Sequence, residues 1–183
     1  MKATEGEKIV LGSGKMYIDE YTDSIPEDAV LEVEEKLIGL IQGGASVEYV
    51  PTYYVAQDDL GLASKTIITQ EEATLKGGIF TWCGKTLGKI CSTARVTDDT
   101  STGKRTVKIG GMGNYDGKKY VIRFVHEDPT DGNIRLTIVG NNQSGFSITF
   151  AKDKETVINP EFKAQPLDSE GTLIIYEEDI PTA

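Results

Sequence analysis

Residues 95–150 read RVTDDTSTGKRTVKIGGMGNYDGKKYVIRFVHEDPTDGNIRLTIVGNNQSGFSITF. Runs rich in Val, Ile, Thr, Tyr and Phe alternate there with clusters of Gly, Asn, Asp and Ser, the punctuation of antiparallel strands. The segment predicts a strand in TVKI and, after the Asp116-Gly117 turn, a second in KKYVIRFVH. It predicts two more around turns at Asn141-Asn142 and Ser144-Gly145. Several short strands at regular spacing predict an antiparallel β-sandwich or barrel.

Working outward, WCGKTLGKICSTA at 82–94 is the best helix candidate, placed over 83–94. Leu87, Ile90, Cys91 and Ala94 fall at i, i+3, i+4 and i+7, one apolar stripe, and the first three are the expected packing residues. Gly84 and Gly88 weaken the helix, so it should be short. Upstream, ASVEYVPTYYVAQ (45–57) alternates as a long strand, and Pro51 makes it a bent or edge strand. QDDLGLASK (57–65) reads as a polar, Gly-containing loop. KTIITQEEATLKGGIFTW (65–82) predicts one or two strands. GSGKMYIDEY (12–21) predicts a strand with Met16 and Ile18 on one face and Tyr17 on the other. DSIPEDAVLEVEEKLIGLIQGG (23–44) is ambiguous between helix and strand, and an extended segment is favoured. TVINPEFKAQPLD (156–168) and GTLIIYEED (171–179) supply the last two strands. The first ten residues are polar and are expected to form an arm. No repeat or linker divides the chain, so one domain over 1–183 is expected.

The chain has 183 residues, 38% hydrophobic and 26% charged, ordinary for a globular protein with a real core. Its formal charge is -10, which opposes tight nucleic-acid binding. Residues 1–60 hold 4 basic against 13 acidic residues, residues 61–127 hold 11 against 6, and residues 128–183 hold 4 against 10. These blocks are solvated surfaces on the plain reading; on the sharper one, unlike charges attract neighbouring copies head to tail. Cys83 and Cys91 on a helix would lie about 12 Å apart, too far for a disulfide, and two unpaired thiols suit a reducing compartment of synthesis. MKATEGEKIV has no apolar run, so no secretory signal is expected. No window approaches a membrane span.

The candidate chemical motifs fail on spacing. GSGK at 12–15 lacks the earlier Gly of a phosphate loop, since position 9 is Ile, and Met16 follows the Lys. GGMGN at 110–114 precedes a turn and a strand, where a dinucleotide site needs a helix. His126 is the only histidine, too few for an ordinary metal cluster. The acidic pairs Asp58-Asp59, Glu71-Glu72, Asp98-Asp99 and Glu177-Glu178 point to opposite faces if they lie on strands. No catalytic residue, cofactor or metal is therefore expected. Tyr17, Tyr21, Tyr49, Tyr53 and Tyr54 make the N-terminal third aromatic, which suits a binding surface as well as a core.

The order of features, above all GKKYVIRFVHED (117–128) and FKAQPLDSEGTLIIYEE (162–178), resembles the major tail (tail tube) proteins of phages and prophages of Gram-positive bacteria. The resemblance runs over nearly the whole chain but rests on general wording, with no short signature. It implies a virion structural protein with a β-sandwich and one flanking helix. Copies would form hexameric rings whose inner sheets join into one barrel, and rings would stack into a tail tube that conducts DNA without binding it specifically. It implies a tape measure protein and tail terminator or completion proteins as further partners, and localisation in the virion tail. It implies a long loop, here about 53–65, and terminal arms, here 1–12 and 176–183, that bridge subunits or rings, with contacts expected at Tyr53, Tyr54, Asp58, Asp59, Leu60 and Lys65. A β-sandwich binding or decoration module with an aromatic platform is the competing reading, and an enzyme ranks third.

Overall fold

The computed structural model describes residues 9–180. Its strands are β1 (Lys15–Glu20), β2 (Leu37–Gly39), β3 (Ile41–Gln57), β4 (Ser64–Ile79), β5 (Arg95–Asp99), β6 (Lys104–Lys108), β7 (Tyr120–His126), β8 (Ile134–Asn142), β9 (Glu161–Ala164) and β10 (Ile175–Glu178). Two α-helices, α1 (Asp28–Leu31) and α2 (Gly84–Ile90), and two short 3-10 turns complete it. The fold is mainly β and antiparallel, as expected.

The main sheet runs β2-β1-β7-β8-β9-β4-β3, with β10 added to β8. Its two ends are one piece of chain: β2 and β3 are separated only by Leu40, whose carbonyl accepts the Phe80 and Thr81 N–H groups. The sheet is thereby closed into a barrel. Gly39 makes the closure possible. Its φ is +149°, and a Cβ there would meet the Thr81 carbonyl oxygen at 2.0 Å.

Period-2 alternation fills the barrel. Met16 and Ile18, Tyr120, Ile122 and Phe124, Ile138, Phe162, and Leu75 and Ile79 point inward into one buried cluster. The opposite face, with Tyr17, Val121, Val125 and Val139, is covered by Leu31 of α1, with Ile25 and Leu167 at its margin. Two arginines staple this cover. Arg123, nearly fully buried, contacts Asp28, Glu32 and Thr137, and Arg135 contacts Glu32 at 2.8 Å and Asp179 at 3.1 Å. His126 is buried and donates Nδ1–H to the Ser13 carbonyl at 2.8 Å, which ties the chain entry to β7.

α2 plugs the end of the barrel reached by Ile79. Ile90 enters the core, Thr86 donates to the Ile38 carbonyl at 3.5 Å, and Asn142 donates to the Ile90 carbonyl at 2.9 Å.

Several expectations are corrected. The helix placed at 83–94 covers only Gly84–Ile90; Cys91 is its extended C-cap, and Leu87 is partly buried while Ile90 is buried, as the stripe required. Asn141 and Asn142 are not a turn but the end of β8, where Asn142 finds acceptors at Ile90 and Gly145. Residues 146–150 form no strand. The stretch 23–44 is neither one helix nor one strand: it holds α1, a 3-10 turn over Glu34–Lys36, β2 and the start of β3. Gly43 and Gly44 sit at a bulge inside β3. Of the expected arms, residues 1–8 and 181–183 lie outside the described residues, while Tyr176–Glu178 belong to β10, paired to β8.

Candidate assembly surface

The largest departure from expectation lies at residues 53–65. Tyr53 and Tyr54 belong to β3 and Lys65 to β4, so the expected long loop is the end of a hairpin. Only residues 58–63 turn. Asp58 builds that turn, accepting the N–H groups of Ala63 at 2.6 Å and Leu60 at 3.2 Å. The Ala63 N–H, first among these bonds, holds the Asp58 carboxyl below its ordinary value.

β3 and β4 pair from Ile41↔Ile79 to Gln57↔Ser64. Near the barrel this pairing is part of the core, down to Ala73. Beyond it, residues 64–72 of β4 are exposed without a break. Nine residues of strand extend about 30 Å. Among the described strands, only β4 pairs with β3 over 45–57, and only β3 pairs with β4 over 64–73. The arm therefore has two open edges of backbone N–H and C=O groups, which invite another strand. Pro51 leaves the β3 edge one donor short, so that edge is partly blunted.

Opposite residues on paired strands share a face. One face carries Tyr49, Pro51, Tyr53 and Val55 beside Ala73 and Ile68, and continues the line of Val47 and Leu75 out of the core. The Tyr49 hydroxyl donates to Glu71, which raises the pKa of the phenol. The other face carries Glu48, Thr52, Gln70 and Glu72, with Val50, Tyr54 and Ile67 among them. Lys76 and Lys163 pair there with Glu48 at 3.6 Å and Glu72 at 3.5 Å. Tyr53 and Tyr54 are each more than half exposed, and Leu60 is 80% exposed.

The predicted contact residues Tyr53, Tyr54, Asp58, Asp59, Leu60 and Lys65 thus lie together on one projecting element. Leu62, Ile67, Ile68 and Val55 were missed. Their signal was present: in YVPTYYV (49–55) apolar residues occupy both parities of a strand, which a strand with one solvated face does not require.

A second hairpin, β5–β6, lies against α2. Val96 pairs with Val107 and Asp98 with Arg105, so these four share a face. That face meets the helix at its two glycines: a Cβ on Gly84 would come within 2.8 Å of Arg105 and Val107, and one on Gly88 within 2.8 Å of Val96. Gly84 and Gly88 are therefore the seat of the hairpin and not merely weak helix formers. Arg105 also pairs with Asp98 at 2.6 Å.

Among the described residues, no group of three or more His, Cys, Asp or Glu is placed to hold a metal ion, and no helix is long and apolar enough to cross a membrane. Both cysteines are free thiols. No protein-family model matches the chain, and no curated protein matches it.

Proposed function

We propose that this chain is a self-assembling structural subunit of the kind that builds phage tail tubes. Copies join side by side through the β3–β4 arm, the β4 edge of one against the β3 edge of the next, and close into a ring. Rings stack into a tube through which DNA passes. The observation that carries the reading is the arm itself: a paired ladder that runs out from the barrel, exposed over residues 64–72 of β4, with both edges open and apolar side chains in solvent. β3 and β4 are antiparallel, so head-to-tail addition of arms keeps every new pair antiparallel too. Such a heterologous contact makes a ring when its rotation closes, and closure removes the open edges. Fully burying side chains such as Tyr53 and Ile68 is worth about 1.5–3 kcal/mol each. The hexamer number, the virion tail as location, and the tape measure and terminator partners come from the resemblance alone.

The test is negative-stain microscopy of the purified chain with sedimentation over a concentration series. Rings or tubes are expected. A strictly monomeric protein at high concentration overturns the reading and favours the binding module, for which Tyr49 and Tyr53 on one face would be the platform.

A further inference from the structure

One cleft differs from the others in what lines it. It lies where α2 ends against the barrel, walled by Cys91 and Ser92 after the helix, by Asn141, Asn142 and Gln143 at the end of β8, and by Tyr115 from the loop between β6 and β7. Its volume is about 390 Å³, at the small end of the range for small-molecule sites. No charged residue lines it, in a chain that is 26% charged. Three clefts of similar size do carry charges: Lys76 and Glu161 in one, Asp98 and Arg105 in the second, Glu71 and Glu170 in the third.

The floor of this cleft is fixed. Asn142 is over nine-tenths buried and fully committed. Its Nδ2 donates to the Ile90 carbonyl at 2.9 Å and the Gly145 carbonyl at 2.7 Å, while its Oδ1 accepts from Ser144 Oγ and from the Glu161 N–H, each at 3.0 Å. Tyr115 is held too. Its N–H donates to the Met112 carbonyl at 3.2 Å, and the N–H of Asp116 donates to the Ser92 carbonyl at 2.9 Å, yet the tyrosine stays more than half exposed. The walls keep spare hydrogen-bonding groups. Asn141, over nine-tenths buried, accepts from Gln143 Nε2 at 3.1 Å. Among the described residues its own amide N–H groups have no partner, nor have the hydroxyls of Ser92 and Tyr115. Groups held still and left uncommitted have their ordering cost already met.

The chemistry selects the ligand. Without a lysine or arginine the cleft has no cation for a phosphate or carboxylate, and without a carboxylate it has nothing to neutralise a metal ion. Amides and hydroxyls that both donate and accept, beside an aromatic face, suit a neutral ring of hydroxyls with an apolar C–H side. We propose that this cleft binds one pyranose residue of a neutral saccharide, with Tyr115 across the ring face and Ser92, Asn141 and Gln143 on the hydroxyls. The site uses no residue of the β3–β4 arm, so it does not rest on the self-assembly reading. A free sugar and one residue of a polysaccharide share this chemistry, and the test separates them.

The experiment reads the two thiols of the full chain. Cys91 lines the cleft and is half-buried, whereas Cys83 caps the other end of α2, is exposed and lines no part of the cleft. Alkylation by iodoacetamide is followed at each cysteine by peptide mass spectrometry, with methyl glucoside, methyl galactoside, methyl N-acetylglucosaminide, uridine or glycerol added. At least one methyl glycoside slows Cys91 about fivefold or more and leaves Cys83 unchanged, with half-protection at roughly 1–10 mM, as the efficiency bound for about a dozen heavy atoms allows. Tyr115→Ala and Gln143→Ala, both at exposed positions, keep the melting temperature and raise the half-protection concentration at least about fivefold. Where Cys91 does not react, saturation-transfer NMR of the glycoside protons decides in its place. A soluble polymer of the protecting sugar that acts at a lower concentration of residues assigns the cleft to polysaccharide; one that acts at the same or a higher concentration assigns it to free saccharide. The proposal is overturned if no glycoside protects Cys91 or shows transfer up to about 100 mM, if Cys83 is slowed equally, or if Tyr115→Ala binds like wild type. Glycerol that protects as well as any glycoside also overturns it, leaving an adventitious polyol only, and uridine that protects where no glycoside does reassigns the cleft to a nucleobase.

Discussion

The two hairpins of this molecule are built alike and finished differently. Each is an antiparallel pair closed by a turn that an aspartate organises: Asp58 bonds Leu60 and Ala63, and Asp99 bonds Ser101 and Thr102. The β5–β6 hairpin sets its two valines against the glycines of α2 and turns its cations outward. The β3–β4 hairpin leaves the barrel with apolar side chains on both faces, and among the described residues those beyond the barrel stay exposed. One hairpin is finished within the subunit. The other, on the self-assembly proposal, is finished by a neighbour. A two-stranded ribbon alone is marginal in water, so the long arm keeps its form through its root in the core.

This contrast can be broken most directly by shortening the arm. Deleting residues 56–64 leaves the barrel's melting temperature near that of wild type, since the removed residues are exposed, and abolishes polymerisation in sedimentation. Tubes that form normally after the deletion break the comparison. The next effect falls on the other hairpin. Gly88→Leu drives a side chain into Val96 and costs about 1–3 kcal/mol, read as loss of amide-exchange protection in β5 and β6 while β7 and β8 stay protected. A smaller effect separates the arm's faces. Tyr53→Ser with Ile68→Ser changes monomer stability by about 0.5 kcal/mol or less but raises the assembly concentration roughly tenfold or more, since each buried side chain is worth over 1.4 kcal/mol.

The smallest effect is acid sensitivity of the two turns. Hydrogen bonds from Ser101 and Thr102 hold the Asp99 carboxyl at about 2, against 3.8 ordinarily, and the Asp58 carboxyl is also lowered. A depressed folded pKa adds stability that is full above the ordinary value and is lost as pH falls through the folded one. Amide exchange in the β5–β6 turn should therefore quicken between about pH 4 and pH 2. Asp99→Asn removes that pH dependence if the carboxylate is its source. Both turns lie in solvent, so neither transition unfolds the barrel.

Much of the barrel was legible in the sequence. β7 announces itself in YVIRFVH, and the Leu87–Ile90 stripe marks the helix that plugs the end. The arm was half legible. ASVEYVPTYYVAQ gave β3 as a long strand and QDDLGLASK gave the turn, but the loop that the resemblance placed from Tyr53 onward ran against the strand reading of the two tyrosines. Asn142 misled for the opposite reason: a buried amide with its own acceptors looks like turn chemistry until those acceptors are placed. The closure at Leu40 left no local mark, since it depends on which strands meet after about a hundred residues of chain.

That closure also sets an order in time. β3 and β4 are neighbours in sequence and can zip from their own turn, whereas β1 must wait for β7, as Ile18 meets Ile122 across more than a hundred residues. Contacts between distant residues form slowly because the loop they close is entropically costly. On a chain emerging from the ribosome, the β3–β4 pair can form before the barrel is sealed, but only as a marginal ribbon until its root joins the core. If copies assemble as proposed, sealing the barrel also sets the arm, and orderly growth waits for the finished subunit.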